Sequence, residues 1–119
     1  MRVFTFLVIL TFCTNLSADD LTHARLKNSP FPKWTKAEYS SVYRSAQQGQ
    51  GPAQYELGSR FYSGDRVSKN FRKAARWYRR AAWQGIHQAQ FNLGSMYRQG
   101  FGVPQDYVQA YRWLDIASR

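Results

Sequence analysis

The chain has 119 residues, a formal net charge of +10 and one cysteine. This length suits one small domain, and an aromatic content of 17% predicts a packed core and argues against a disordered polycation. The positive charge favours anionic partners, such as an acidic protein surface, an anionic membrane or an anionic polysaccharide.

The first 20 residues have the layout of a secretory signal peptide. Arg2 provides a positive start, residues 3–12 are largely apolar, and Ala18 precedes an acidic pair at 19–20. This pattern predicts a signal peptide at residues 1–18, cleaved after Ala18, and a periplasmic or secreted protein. The alternative interpretation is an uncleaved anchor, although the apolar stretch is shorter than the about 20 residues of a stable membrane span.

Cys13 lies in a segment that faintly matches a lipoprotein cleavage box. Phe12 stands where a small residue is required, so lipidation is the less favoured interpretation. Cleavage after Ala18 would remove Cys13, and the mature chain would then contain no disulfide, although export would permit one. Export also makes nucleic acid the least favoured anionic partner, and no nucleic acid is predicted as a ligand.

A linker and a helix are predicted next. Residues 19–36 read as the linker, because Pro30 and Pro32 are incompatible with a helix across them. Residues 37–49 are predicted to form a single helix that covers one end of the repeats described below. This helix matches only the second half of a repeat, and Ser41 stands at its tryptophan position.

The rest of the chain repeats with a period of 36 residues, which is the length expected of a stacked helix-pair array. Residues 53–59, AQYELGS, return as AQFNLGS at 89–95, and the register does not slip. The boundaries of the two predicted units are 50–85 and 86–119. The further matches are Phe61 with Tyr97, Gly64 with Gly100, Val67 with Val103, Ala74 with Ala110, Trp77 with Trp113 and Ala81 with Ala117.

The first helix of each unit is predicted at about 52–63 and 88–99. Ala53, Leu57 and Phe61 are spaced four residues apart and therefore share one helical face. Gly64 and Gly100 fit just past the helix end, where a left-handed backbone favours glycine.

The second helix of each unit is predicted to begin near Asn70 and Asp106, because both residue types cap helix N-termini. Its inward stripe combines small residues, which let helices approach closely, with large aromatic or aliphatic ones. The stripe consists of Ala74, Trp77, Tyr78 and Ala81 in the first unit and of Ala110, Trp113, Leu114 and Ala117 in the second.

This pattern resembles the Sel1-like repeat family, a relative of the tetratricopeptide repeat. The second unit matches the family motif at Ala89, Phe91, Leu93, Gly94, Tyr97, Gly100, Gly102, Val103, Asp106, Ala110, Trp113 and Ala117. The first unit departs from it at Arg66, where a glycine is expected, and at Asn70, where an aspartate is expected. The first loop is therefore expected to be looser or differently turned.

The resemblance implies an all-α fold, an α/α superhelix or solenoid of about two helix-pair repeats plus one N-terminal helix. It also implies an adaptor or scaffold that binds protein partners and is not an enzyme, and it places Tyr55 and Phe91 in the core between units. Some cysteine-bearing bacterial relatives were linked to β-lactam hydrolysis. That activity does not transfer here, because the predicted mature chain has no cysteine.

In a stack of helix pairs, the first helices are expected to line the concave side. Steps of about 100° per residue from Leu57 then turn several side chains towards that side. The predicted partner-binding residues are Glu56, Ser59, Tyr62, Asn92, Ser95 and Arg98. The alternative interpretation is an ordinary solvated helix surface, because two units form only a shallow groove.

A basic cluster in the first unit is the second candidate site. Its members recur at helical spacing and are expected to form a stripe opposite Trp77 and Ala81, where they would bind an anionic membrane or an envelope polysaccharide. The predicted anion-binding residues are Lys69, Arg72, Lys73, Arg76 and Arg80. The alternative interpretation is a solvated face that maintains solubility.

No catalytic residue, metal site or cofactor is predicted. Neither His23 nor His87 has an acidic or thiol partner at useful spacing, and no phosphate-binding loop or nucleophile motif is present. An active site assembled only in three dimensions is the alternative. Trp113, Leu114 and Ile116 are expected to leave an apolar surface near the C-terminal end, which predicts self-association or cover by the partner.

Overall fold

The structure, a computed structural model, describes residues 35–119. This part of the chain contains five helices and no strand: α1 Lys36–Gln47, α2 Gly51–Ser63, α3 Phe71–Trp83, α4 His87–Gln99 and α5 Tyr107–Ser118. The prediction of two helix pairs preceded by one helix is therefore confirmed. The predicted signal peptide, Cys13, His23 and the predicted linker up to residue 34 lie outside the described residues. None of the five helices has the length and apolarity needed to cross a bilayer.

Side-chain caps explain where α1, α3 and α5 begin. Thr35 and Glu38 form a capping box, in which the Glu38 amide donates to Thr35 Oγ1 at 3.2 Å and the Thr35 amide donates to Glu38 Oε2 at 2.7 Å. This second bond stabilises the carboxylate and lowers the pKa of Glu38. Asn70 Oδ1 accepts from the Lys73 amide at 3.0 Å and Asp106 Oδ1 from the Gln109 amide at 3.1 Å, so both predicted caps are confirmed.

The loops inside the two pairs have the same conformation, so the expectation of a looser or differently turned first loop is wrong. Arg66 has a φ of 63°, close to the 70° of Gly102 at the equivalent position. The same backbone hydrogen bonds close both loops, from Asn70 N to Phe61 O at 2.8 Å and from Asp106 N to Tyr97 O at 2.9 Å. This shared framework holds Arg66 in a conformation that non-glycine residues normally avoid.

The core lies between the two helices of each pair and between α3 and α4. Leu57 and Leu93 are completely buried, as the repeat predicts. Two glycines bring the helices of each pair together: a Cβ on Gly58 would lie 2.6 Å from the Tyr78 ring, and one on Gly94 would lie 2.9 Å from Leu114. The other buried apolar residues are Ala46, Phe61, Ala74, Ala75, Ala81, Ala82, Ala89, Met96, Ala110 and Trp113.

The two repeat tryptophans reach from one unit to the preceding one. The Trp77 ring meets Tyr43 of α1 edge-on at 5.8 Å between centroids, and the Trp113 ring meets Trp83 of α3 in the same way at 5.4 Å. Trp113 is buried, whereas Trp77 is only partly buried. The tryptophan at this position therefore joins successive second helices, in addition to packing on its own helix pair.

Two buried glutamines, which the sequence did not mark as structural, tie each first helix to the helix before it. Gln54 Nε2 donates to the Ala46 carbonyl at 3.0 Å, and Gln90 Nε2 donates to the Ala82 carbonyl at 3.1 Å. Gln84 Nε2 donates in turn to Gln54 Oε1 at 2.8 Å. The same carbonyls also accept from the Gly49 and Gly85 amides at 3.1 and 3.0 Å, so each glutamine adds a second bond at the C-terminal end of α1 or α3.

Phe91 does not lie in the core, contrary to the prediction. Its side chain is 57% exposed, whereas Tyr55 at the equivalent position is partly buried and lies 5.8 Å from the Tyr78 ring. The difference follows from the stacking order. Helix α4 packs on α3, but no helix of residues 35–119 packs on the equivalent face of α5.

Candidate binding surfaces

The six predicted partner-binding residues lie on α2 and α4, and we call this surface the first-helix face. Two of them converge on one buried hydroxyl: Tyr78 donates to Ser59 Oγ at 3.2 Å and also hydrogen-bonds to Asn92. Burial raises the pKa of Tyr78, and the hydrogen bonds with Ser59 and Asn92 oppose that rise. Ser59 and Asn92 therefore connect the two units through Tyr78.

The other predicted members differ in how accessible they are. Tyr62 is partly buried, with its ring 5.2 Å from Phe71. Glu56 Oε1 lies 3.4 Å from Arg60 Nη2, and Arg60 also pairs with Asp65. Ser95 is partly buried and Arg98 is exposed. The accessible part of the first-helix face thus centres on Glu56 and Arg98, while Tyr62 mainly supports the fold.

A groove beside this face contains the exposed Phe91. It has a volume of about 550 Å³ and lies between α4 and the C-terminal half of α5, with Tyr55 at its edge. Its residues are Tyr55, His87, Gln88, Phe91, Asn92, Leu114, Ala117 and Ser118. Asn92 belongs both to this groove and to the first-helix face, so the two surfaces are continuous. Sequence reasoning missed the groove because the family motif assigns Phe91 to the core.

The predicted cationic stripe surrounds Trp77, which corrects the expectation that it lies opposite. Residues 73, 76, 77 and 80 are spaced three and four apart and therefore share one helical face. Arg80 lies over the Trp77 ring, 5.0 Å from its centroid. Lys73, Arg76 and Arg80 line one groove with Trp77, whereas Lys69 and Arg72 are exposed outside it.

The groove lined by Lys73, Arg76, Trp77 and Arg80 also includes residues of α1, and we call it the α1/α3 groove. Its volume is about 610 Å³. Its floor and walls combine cationic and aromatic side chains from α1 and α3, together with one from α2. The complete lining is Tyr39, Tyr43, Gln47, Phe61, Lys73, Arg76, Trp77, Arg79 and Arg80.

The region near the C-terminal end differs from its prediction in one respect. Trp113 is buried against Trp83 and does not leave an open surface, whereas Ile116 is exposed and Leu114 is partly buried. Tyr111 and Val108 add further exposed apolar surface on α5. Self-association through this end stays a prediction.

The described residues contain no cluster of His, Cys, Asp or Glu able to hold a metal ion. His87 is exposed and lines the groove beside Phe91, where the lining residues from 35–119 include no carboxylate and no thiol. The geometry of residues 35–119 therefore offers binding surfaces and no recognisable catalytic arrangement.

Comparison with known proteins identifies the repeats. A protein-family model described as "Sel1 repeat" matches residues 51–86 and 87–119. The chain has no match among curated proteins.

Three solved structures are similar to this chain. A Sel1 repeat protein from Oxalobacter formigenes is 38% identical with a TM-score of 0.64, over 66% of this chain and 60% of that one. The protein c5321, a protective antigen present in uropathogenic Escherichia coli strains, is 34% identical with a TM-score of 0.68, over 83% of this chain and 21% of that one. Cysteine rich protein B of Helicobacter pylori is 23% identical with a TM-score of 0.67, over 82% of this chain and 72% of that one, which shows a shared fold alone.

Proposed function

This chain belongs to the Sel1 repeat family, whose members are typically non-enzymatic scaffolds for protein–protein interaction, and from that premise we propose that it binds another protein through the first-helix face and the adjoining groove. The observation that carries the proposal is the exposed Phe91. The chain spans 60% and 21% of the two more similar structures.

The groove beside Phe91 has the character of a helix-docking surface. At the equivalent place in the first unit, Gly51 lies against Ile86 at the start of α4, where a Cβ on the glycine would be 3.2 Å from the isoleucine side chain. In the first unit, the chain therefore packs its own helix α4 against the surface that corresponds to this groove. The partner segment we propose is an amphipathic helix whose apolar side covers Phe91 and Leu114.

The polar side of that helix is expected to be acidic. The chain carries a formal net charge of +10, and Arg98 is exposed on the first-helix face. A positively charged surface attracts an acidic partner at long range and orients its approach. Arg98 would contact the acidic edge of the bound helix, while Glu56, on the other unit, stays paired with Arg60 at 3.4 Å.

Changing Phe91 to alanine together with Arg98 to glutamate is expected to abolish capture of the partner. Phe91 supplies the exposed aromatic anchor that typically dominates such an interface, and the charge reversal at Arg98 repels an acidic partner. The measurement is affinity capture from a cell-envelope extract with the tagged full-length chain, quantified by mass spectrometry. Neither side chain is buried, so the variant should retain the thermal unfolding midpoint of the wild type.

The matched control changes Tyr111 to alanine and Arg72 to glutamate, which removes an exposed aromatic ring and reverses one exposed charge away from the first-helix face. This control should capture the same partner to the same extent as the wild type. If both variants lose the partner equally, the contact is nonspecific. If neither loses it, the first-helix face is not the binding site.

Export is the second part of the proposal. The basic start, the apolar stretch at 3–12 and the small residue Ala18 before two aspartates support a cleavable signal peptide. The proposed location is the periplasm or the outside of the cell.

Expression of the full-length chain with a C-terminal tag in a bacterial host is expected to yield an exported protein whose N-terminus is Asp19. N-terminal sequencing of the envelope fraction measures this directly. A variant with Leu7 changed to arginine interrupts the apolar stretch and should remain in the cytoplasm with Met1 or Arg2 at its start. A wild-type protein that keeps residues 1–18 and stays in the cytoplasm would contradict the proposal.

A further inference from the structure

The stacking creates one kind of groove twice, between successive second helices. The α1/α3 groove has its counterpart between α3 and α5, a cavity of about 450 Å³ that we call the α3/α5 groove. At matching positions, 36 residues apart, Trp77 corresponds to Trp113 and Arg76 to Arg112. The lining of the α3/α5 groove is Ala82, Trp83, Gly85, Gln90, Gln109, Arg112, Trp113 and Ile116.

The two grooves differ in charge at the same positions. Where the α1/α3 groove has Lys73 and Arg80, the α3/α5 groove has Gln109 and Ile116. Arg79 adds a fourth cation to the α1/α3 groove. The fold therefore tolerates neutral residues at these positions, and the cations of the first groove are not required for stacking.

No carboxylate of residues 35–119 lines the α1/α3 groove. The ion pairs found among residues 35–119 use Asp65 and Glu56 with Arg60, Asp65 with Arg66, and Asp115 with Arg119. The positive charge of the groove is consequently not neutralised by any of these acidic side chains.

Within the described part of the chain, the groove cations contact neutral groups. Lys73 Nζ lies 5.4 Å from the centre of the Phe61 ring, Arg80 lies over Trp77, and Arg79 donates to the Tyr97 hydroxyl at 2.8 Å. Aromatic faces orient cations without cancelling their charge. Lys73 also lies in the first turn of α3, where the helix dipole disfavours a positive charge.

From this arrangement we propose that the α1/α3 groove binds a phosphate or sulfate monoester carried on a ring. The Arg76 and Arg80 guanidinium groups would bind the ester oxygens, because a planar fork of donors fits tetrahedral oxyanions. Tyr43 and Trp77 would pack against the ring. The volume of about 610 Å³ lies in the range of small-ligand sites.

A compact ester fits the geometry better than an extended anionic surface does. A membrane or a polysaccharide would first contact the most exposed cations. Those are Lys69 and Arg72, and both lie outside the groove. The groove cations instead surround a cavity with aromatic walls, which a flat surface cannot enter. This site is separate from the first-helix face, so the inference stands independently of the proposed partner.

The test is calorimetric titration of the full-length chain with phenyl phosphate, phenyl sulfate and inorganic phosphate at low salt. Changing Lys73 to glutamine and Arg80 to isoleucine gives this groove the residues of its counterpart and should weaken phenyl phosphate binding at least about tenfold, because two cations are lost. The matched control, Arg112→Gln in the α3/α5 groove, should bind within about twofold of the wild type. Circular dichroism establishes that each variant is folded.

A second variant, Tyr43→Leu, removes an aromatic wall and keeps all four cations. It should weaken phenyl phosphate and leave inorganic phosphate unchanged, since only the ring contact is lost. Equal binding of phenyl phosphate by the wild type and the Lys73/Arg80 variant would overturn the site. So would binding that appears only with vesicles rich in anionic lipid, because the ligand would then be a surface and not a small ester.

Discussion

Changing Leu93 to alanine is expected to lower the free energy of unfolding by about 3–5 kcal/mol, because the substitution removes a completely buried side chain and leaves a cavity. Leu93 packs in the core that joins α3, α4 and α5, so its loss weakens both helix pairs at once. Because a small domain has a total stability of only about 5–15 kcal/mol, this loss is a large share of it. The measurement is urea unfolding followed by circular dichroism at the helical band.

The control for this change is Ile116→Ala, which shortens an exposed aliphatic side chain on α5. It should lower the free energy of unfolding by less than about 1 kcal/mol, because little apolar surface is removed from contact. Leu57→Ala, at the equivalent position of the first unit, should resemble Leu93→Ala. A Leu93 variant as stable as the Ile116 variant would show that the leucine of the repeat does not hold the helix pairs together.

The sequence predicts the helix pairs well because the signals for them are local and occur twice. A cap at Asn70 or Asp106 depends on one side chain and the next three residues. The burial of Leu57 and Leu93 follows from four-residue spacing. Each unit therefore confirms the interpretation of the other, and the structure agrees in both.

The failed placement of Phe91 in the core and the glutamine bonds that the sequence did not mark both depend on contacts between helices. Phe91 is exposed because no helix of the described chain packs on α5 as α4 packs on α3. The buried bonds of Gln54 and Gln90 are made to the C-terminal ends of preceding helices, eight residues away. The position of a residue in the repeat motif does not indicate which neighbouring helix packs against it.

The sequence predicts the placement of the cations only in part. Spacing of three and four places Lys73, Arg76 and Arg80 on the same face as Trp77, and that relation was readable from the sequence. The separation of these residues from Lys69 and Arg72 was not, because it depends on where α1 lies against α3. The division of the stripe into groove and surface residues requires coordinates.

Changing Gly102 to alanine is expected to lower the free energy of unfolding by about 3 kcal/mol. Gly102 has a φ of 70°, which is unfavourable for any residue with a Cβ. A Cβ at this position would also overlap with the Phe71 carbonyl and lie 2.7 Å from the Arg72 amide nitrogen, at the start of α3. Backbone atoms cannot move aside as a flexible side chain can, so the second loop would have to separate from α3. Thermal and urea unfolding both measure the loss.

The first unit provides the control, because Arg66 has nearly the same backbone conformation and already carries a Cβ. Arg66→Ala and Arg66→Gly both remove the side chain that contacts Asp65, and they differ only in the Cβ. The difference in their free energies of unfolding therefore measures the cost of a Cβ in this left-handed backbone, expected to be about 1–2 kcal/mol. A larger loss in Gly102→Ala comes from the overlap with α3. If the Gly102→Ala loss equals the difference between the two Arg66 variants, backbone conformation alone explains the glycine, and close packing of the loop on the preceding unit plays no part.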